Sequence, residues 1–374
     1  MKKGYYIHFE GRSSVGVSKK IDMQMEEFSK YFEMKEIEIR ATKRNMLQRI
    51  IGLFPSASIK RSYEEALREL DDPCFIYARR SVADHDYLYF WKQVKEYFPN
   101  CKVVIEIFTY PYDKDDFAKW NAWPFYIKER IYRPKLKKYV DRFVTYSADD
   151  MIFGIPTIRT TNGINVNAMR LVDGEYKEKL VTLIGVAYMQ RQHAYERIIE
   201  GLSRYYQKKR EYRVRLMLVG DGPEKKKYEK LTRKYGLEEY VDFYPVTSGE
   251  ELDKLYDQAD IALAAFGMYK VGYSEAVGAL KTRECLAKGV PIISGSPIDV
   301  LEKDFPYALI CSNDASAVDM EKVVSFFDSI RKRHMTKKDA AQTIRKLTEQ
   351  RISNEHLMKP IIEYVMDERK REDA

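Results

Sequence analysis

Cysteine is scarce in this sequence and never spaced for a metal. Cys74, Cys101, Cys285 and Cys311 are scattered, with no CxxC pair, so they read as reduced thiols rather than a disulfide frame or a zinc site. Long hydrophobic runs are lacking too. The longest are strand-sized, well short of the roughly 20 residues that a spanning helix needs. Internal repeats and low-complexity tracts are absent, which argues against solenoid and linker-like classes. No zinc-finger, RNP-like or helix-turn-helix signature is visible, so nucleic acid is the weaker of the possible anionic partners. The segment MKKGYYIHFEGRSS starts like a secretion leader, but its apolar run of about five residues falls short of the roughly 7–15 of an h-region. It reads as a first buried strand, and the protein as cytoplasmic.

What is present is an ordinary globular composition: 374 residues, 45% hydrophobic and 33% charged, long enough for two domains. The net charge of +8 is uneven. Residues 1–165 hold 29 Lys/Arg against 23 Asp/Glu, and the remainder 36 against 34. An excess confined to one half suggests an anionic partner for that half. The segment RATKRNMLQRIIGLF sets Arg40, Lys43, Arg44 and Arg49 beside Met46, Leu47, Ile50, Ile51, Leu53 and Phe54. That mixture suits a helix lying in an anionic membrane surface, or an amphipathic helix packed on its own core. A second segment, KERIYRPKLKKYVDR, carries seven cations and reads as a solvated face or a further anion contact.

Strands are expected over 5–9, 36–39, 75–78, 102–107 and 143–146, with helices over about 20–33 and 85–98 between them. GRSSVGVSKK reads as a polar loop after the first strand. Asn162-Gly163 is a strong turn signal, and a new βα series starts at 180–185, so the domain boundary falls close to 165. The stretch 213–295 then alternates strand and helix, through VGDGP, VDFYPV and ADIALAAF, to a helix stopping at Gly289. Helices over about 316–333, 337–350 and 355–370 follow. The alternation predicts parallel α/β sheets, which take ligands outside the carboxyl ends of their strands.

VGDGP, ADIAL and RECLAKGVPIISG, with TNGINV and GVAYMQRQHAYERIIEGL before them, resemble the GT-B glycosyltransferases in order and spacing, specifically glycosyltransferase family 4. The resemblance is strongest over about 160–296. VVIEIFTYPYDKDD and GVSKKI resemble members that build bacterial capsular and surface polysaccharides. The resemblance implies an α/β GT-B fold of two Rossmann-like domains facing across a cleft. Residues 1–165 would be the acceptor domain, with a C-terminal helix at about 355–374 packing back on it, and 166–354 the nucleotide-sugar domain. Three departures are plain. Ala276 stands where the family has the first of two glutamates, Val186 where it has an arginine, and Val15-Gly16 where it has Gly-Gly.

Under that resemblance Glu284 would accept hydrogen bonds from the ribose hydroxyls. Lys281 and Arg191 would neutralise the leaving diphosphate, and Gly278, Ala279, Leu280 and Arg283 would form the phosphate-binding helix start. The alternative for Lys281 and Glu284, three residues apart, is a surface ion pair. The base would rest near Pro245 and Val246, and Gly16 and Val17 would bring backbone toward the donor phosphate. His193 would touch the donor or pack locally, Arg197 is a fainter candidate, and Asp221 reads as a turn residue. Glu106, inside an apolar run, is either a buried ion pair or an acceptor contact and general base. Thr109, Tyr110 and Tyr112 would meet the acceptor. Asp113-Lys114-Asp115 matches a metal motif of another fold without its context, so no metal and no cofactor are expected.

The expected activity is transfer of a hexosyl group from a nucleoside-diphosphate sugar, UDP favoured, to a glycan hydroxyl with retention of configuration. The acceptor would be lipid-linked, at the inner face of the cell membrane. The rivals are a nucleotide-sugar epimerase on the same fold and a non-catalytic, glycan-binding partner subunit.

Overall fold

A computed structural model describes residues 1–9, 15–40, 45–54, 62–107, 110–113, 122–272, 276 and 278–367. The chain divides into two compact units, Met1–Thr161 with Asn354–Ala374, and Asn162–Ser353.

The first unit alternates strands and helices: β1 (Lys3–His8), α1 (Val15–Ser29), β2 (Glu33–Glu38), α2 (Met46–Ile51), α3 (Tyr63–Glu69), β3 (Pro73–Arg79), α4 (His85–Tyr97), β4 (Lys102–Ile107) and α5 (Trp123–Tyr132). A short 3₁₀ segment, Arg133–Lys138, leads to β5 (Arg142–Thr145), and β6 (Met151–Ile152) turns back on β7 (Ile155–Arg159). Seven strands form one sheet in the order β2-β1-β3-β4-β5-β7-β6, parallel except for the β6–β7 pair. Parallel strands need both faces covered, which is why β1, β3 and β4 are almost wholly buried. On one face α4 lays down Tyr87, Phe90, Trp91 and Val94, an i, i+3, i+4, i+7 stripe, behind an Asp84 cap that accepts from Tyr87 N–H at 2.9 Å.

Helix α1 begins at Val15, not near residue 20, so Gly16 and Val17 occupy its first turn rather than a loop. Glycine and serine argue locally for a loop, but burial of Ile21 and Phe28 against the sheet outweighs the roughly 1 kcal/mol that a helical glycine costs. Among the described residues, nothing lies within 4 Å of where a Gly16 Cβ would sit.

The second unit runs β8 (Leu180–Val186), α6 (Glu196–Tyr205), β9 (Arg213–Val219), α7 (Lys225–Lys234), β10 (Val241–Tyr244), α8 (Gly249–Gln258), β11 (Ile261–Leu263), α9 (Leu280–Lys288), β12 (Ile292–Ser294) and β13 (Ala308–Ile310). Helices α10 (Met320–Arg333) and α11 (Lys337–Ile352) complete it. Its six strands are all parallel, in the order β10-β9-β8-β11-β12-β13. The strand order reverses between β8 and β11. Such a switch point opens a crevice outside the carboxyl ends, where ligands of α/β sheets bind.

The VGDGP turn after β9 owes its glycines to a close approach. Gly222 has φ +141°, and a Cβ there would sit 2.5 Å from Met189 N. Asp221 C=O accepts from Met189 N–H at 2.6 Å, and Met189 C=O accepts from Glu224 N–H at 3.1 Å. The turn thereby fixes the loop that follows β8. Asp221 itself accepts from Gly222 N–H at 2.8 Å, a turn role.

The last described helix, α12 (Asn354–Met366), belongs to the first unit. Met358, Ile361, Ile362 and Val365 join Tyr6, Ile21, Phe28, Phe75 and Val104 in one core. Asn354 donates to Met23 C=O at 2.9 Å, and Lys102 to Tyr364 C=O at 2.6 Å.

Candidate functional site

The second unit gathers its polar residues at the switch point. The loop after β8 is pinned to the exit of β11: Phe266 N–H donates to His193 C=O at 3.0 Å and Gly267 N–H to Gln192 C=O at 2.9 Å. Tyr195 turns back under this loop, fully buried. Gly185 makes room for it, since a Cβ there would lie 2.9 Å from the Tyr195 ring.

Helix α9 starts opposite this loop. Its N-cap is Ala279, which has no side chain to cap the first N–H groups. An uncapped helix start is favourable for an anion. Lys281, in the first turn, reaches Tyr195 Oη at 3.4 Å, with its ammonium 5.7 Å from that ring's centre. Burial pushes the Lys281 pKa down to about 8. Among the described residues Lys281 has no ion-pair partner, and neither has half-buried Glu284 one turn on. The surface i,i+3 pair is therefore not formed.

His193 faces the same cation. Its Nδ1 accepts from Gln190 N–H at 3.0 Å, which leaves the ring proton on Nε2. Burial, aided by the charge of Lys281, pushes its pKa down to about 3, so it is a neutral donor at ordinary pH. Arg191 is exposed and has no partner among the described residues. Lys281, His193, Arg191 and Glu284 thus flank one switch point, with Gly278, Ala279 and Leu280 supplying the helix start.

Other candidates are placed differently. Arg283 is fully buried and bonds inward: Nε donates to Asn162 C=O at 3.0 Å, Nη1 to Thr282 Oγ1 at 3.1 Å and Nη2 to Asp299 at 2.5 Å. It is a structural residue, not a donor contact, because a helix turns 100° per residue and carries it away from the Lys281–Glu284 face. Arg197 is likewise buried, donating to Ser316 C=O at 2.6 Å and Phe266 C=O at 2.7 Å. Pro245 and Val246 are exposed at the end of edge strand β10, whose Tyr244 C=O accepts from Gly220 N–H at 3.1 Å.

In the first unit, Glu106 is the buried ion pair of the two readings offered for it. Lys20 donates to it at 2.6 Å and Gln24 at 3.3 Å. Burial opposes its ionisation, but Lys20 and Arg79 outweigh burial and hold the carboxyl below its usual range. Burial lowers the Lys20 pKa in turn. Tyr112 is also withdrawn from any acceptor. It is buried, its hydroxyl donates to Glu129 at 3.0 Å, and Arg80 covers its ring at 3.7 Å. Tyr110 is half-buried against Phe153, with ring centres 5.7 Å apart. Thr109 lies outside the described residues. Asp113 is held by both arms of Arg133, at 2.5 and 3.0 Å, which occupies the carboxylate that the metal motif would use; Lys114 and Asp115 lie outside the described residues.

Sequence reasoning missed Tyr195, Asn162 and Asp299. Tyr195 anchors Lys281. Asn162, the turn residue of TNGINV, donates to Gly278 C=O at 2.8 Å and so holds the approach to α9. The Asn-Gly signal located that turn but carried no hint of its partner.

Two α/β units of this topology, with an anion-ready helix start at the switch point of the second, define a protein of the GT-B fold. Residues 173–327 match the family model described as Glycosyl transferases group 1. Among solved structures, the chain is similar to Anabaena HepE in complex with UDP, at 11% identity and a TM-score of 0.62, over 98% of this chain and 99% of that one. It is similar to sucrose-phosphate synthase from Thermosynechococcus elongatus, at 12% identity and a TM-score of 0.62, over 97% and 98%. It is also similar to the lipopolysaccharide outer core galactosyltransferase WaaB, at 14% identity and a TM-score of 0.58, over 96% and 98%. No curated protein matches the sequence. The matched domain and the fold support a glycosyltransferase.

Proposed function

We propose that the protein transfers a sugar from a nucleoside-diphosphate donor, UDP favoured, to a glycan hydroxyl with retention. The observation that carries this reading is Lys281, a partly buried cation with no counter-charge among the described residues, at the uncapped start of α9. A buried unpaired charge is costly unless a ligand supplies its partner. The diphosphate is that partner, with Arg191 and His193 Nε2–H adding donors. Glu284 takes the ribose hydroxyls. The bond from the sugar carbon to the phosphate oxygen breaks, and the acceptor oxygen bonds to that carbon on the same face. The departing phosphate oxygen takes the acceptor's proton, so no protein nucleophile enters the scheme. The choice of UDP is supported by HepE, whose structures hold UDP and UDP-glucose.

A panel of nucleotide-sugars, scored for nucleotide release with and without lipid-linked acceptors, tests this. One donor should turn over, and Glu284→Gln should raise its KM roughly 10–100-fold, the loss of hydrogen bonds to a charged group. No turnover with any donor would sink the transferase reading. Isomerised sugar-nucleotide without acceptor would reveal an epimerase.

The family 4 assignment and the lipid-linked, surface-polysaccharide acceptor are part of the same proposal. They are supported by the likeness of the fold to WaaB and by an apolar surface on the first unit. Helix α2 and the turn after it leave Met46 80%, Leu47 65% and Phe54 62% exposed, with Ile50 and Ile51 half exposed. This exposure supports the membrane-facing reading of the segment over the core-packed one. The turn is held from below by Lys128, which donates to Gly52 C=O at 2.8 Å. The protein should sediment with phosphatidylserine-containing vesicles at low salt and less at high salt. Leu47→Asp with Phe54→Asp should abolish sedimentation; equal binding by that variant would remove the membrane from the proposal.

A further inference from the structure

A short 3₁₀ segment, Met268–Val271, follows β11 in the second unit, on the chain that leads to the start of α9. None of its four residues is buried: Met268, Tyr269 and Lys270 are half-buried and Val271 is exposed. Apolar packing therefore does little to hold it, and polar contacts do more. Just before it, Gly267 N–H donates to Gln192 C=O, and a Cβ on Gly267 would lie 2.6 Å from that of Ala194, so the chain passes close over the loop after β8. Tyr269 N–H donates to Asn313 Oδ1 at 3.0 Å. Lys270 donates to the carboxylate of Glu196, the first residue of α6.

That ion pair is not an ordinary surface one. Its side chains are only 18% and 10% exposed. Lys227, in the first turn of α7, donates to the same Glu196 oxygen at 2.7 Å and to Glu224 at 3.1 Å. Burial opposes the charge on Glu196, but the two lysines outweigh burial and hold the carboxyl below its usual range. Glu196 is thus fixed from α7, and it fixes Lys270 in turn. Further along the chain, Gly278 C=O is held by Asn162. The approach to α9 is clamped at two points, and the upstream clamp is one carboxylate.

In the reading above the diphosphate sits at the start of α9, with Lys281, Arg191 and His193 as its donors. The sugar hangs from that diphosphate, beside the chain that delivers the helix start. We infer that Glu196 is a positioning residue for the donor's sugar: through Lys270 it holds Met268–Gly272 where the sugar is oriented for transfer. The sugar role rests on the transferase reading; the hold of Glu196 on the segment does not.

The test is hydrogen exchange on the full chain, alone, with UDP, and with UDP-glucose or UDP-galactose. It is read in the first turn of α9 and at the amides of Tyr269, Lys270 and Gly272, each of which is hydrogen-bonded. Exchange at these three amides should rise at least about tenfold in Glu196→Gln and in Lys270→Met. The double variant should be no faster than either, since both remove one interaction. Lys270→Met leaves Glu196 on Lys227, so its fold should be intact, and Lys270→Arg should keep wild-type exchange. In wild type, UDP should slow exchange in the first turn of α9, and one UDP-hexose should slow it at residues 269–272 as well. Glu196→Gln should lower kcat for nucleotide release from that donor roughly 10–100-fold, the cost of a misplaced reactant, with the Kd for UDP within about twofold of wild type.

Unchanged exchange at residues 269–272 in both single variants would overturn the clamp. Faster exchange there with an unchanged kcat would leave Glu196 a structural residue and overturn its positioning role. So would protection of α9 by UDP with no added protection of residues 269–272 by either hexose donor. If UDP leaves α9 unprotected in wild type, the donor reading fails and the sugar role falls with it; that failure shows without any variant.

Discussion

Lys281→Ala should lower kcat/KM for the nucleotide-sugar roughly 10²–10³-fold, the usual cost of removing one preorganised group that meets developing charge. The free protein holds this ammonium partly buried, beside the Tyr195 hydroxyl and a neutral imidazole, with no carboxylate paired to it among the described residues. It is thus in place before the diphosphate arrives. The pH dependence follows. Burial lowers the Lys281 pKa from 10.5 to about 8, so the free enzyme loses this charge as pH rises through 8. Wild-type kcat/KM should fall across that pH, since this parameter reports the free enzyme's ionisations, and Lys281→Arg should flatten the fall.

Stability moves the other way. Between about pH 8 and 10.5 the unfolded chain binds more protons at this lysine than the folded one, so its contribution to stability rises with pH there. Lys281→Ala removes that rise and should not lower the Tm at neutral pH. Full activity in Lys281→Ala, or an unchanged pH profile in Lys281→Arg, would overturn the role given to this residue.

Arg283→Ala should destabilise the protein by roughly 3–5 kcal/mol, because breaking a buried ion pair strands the groups around it. Asp299 would lose its 2.5 Å partner and Asn162 C=O its donor. Asn162 also holds Gly278, so the approach to α9 should loosen and donor KM should rise as a secondary effect. Denaturant unfolding of Arg283→Ala, Asp299→Ala and the double variant measures the pair: the two single losses should exceed the double when summed. A variant with unchanged stability and a raised donor KM would return Arg283 to the donor site.

The contrast between Lys281 and Arg283 marks what was legible in the sequence. The helix, its start and its end at Gly289 could be read from a short apolar-periodic run bounded by glycine and proline. Which cations on it face a ligand could not, because that depends on Asp299 and Asn162, distant in sequence. The same limit applies to Glu106, whose partner Lys20 lies on a helix that local composition starts too late, and to Tyr112, whose covering Arg80 follows a different strand. Strands were legible for the opposite reason. In parallel sheets they are short, continuous apolar runs, and 102–107 and 180–185 needed no long-range information.

The return of α12 to the first unit has a consequence for the order of events during synthesis. The face of that unit formed by Tyr6, Ile21 and Phe28 is completed by Ile361 and Val365, which leave the ribosome more than 330 residues after them. The second unit, Asn162–Ser353, is continuous in the chain. On a nascent chain the later half can therefore close first, while the earlier half waits with an apolar face uncovered. That order runs opposite to the usual amino-to-carboxyl sequence of domain folding and leaves the apolar face uncovered until α12 is made.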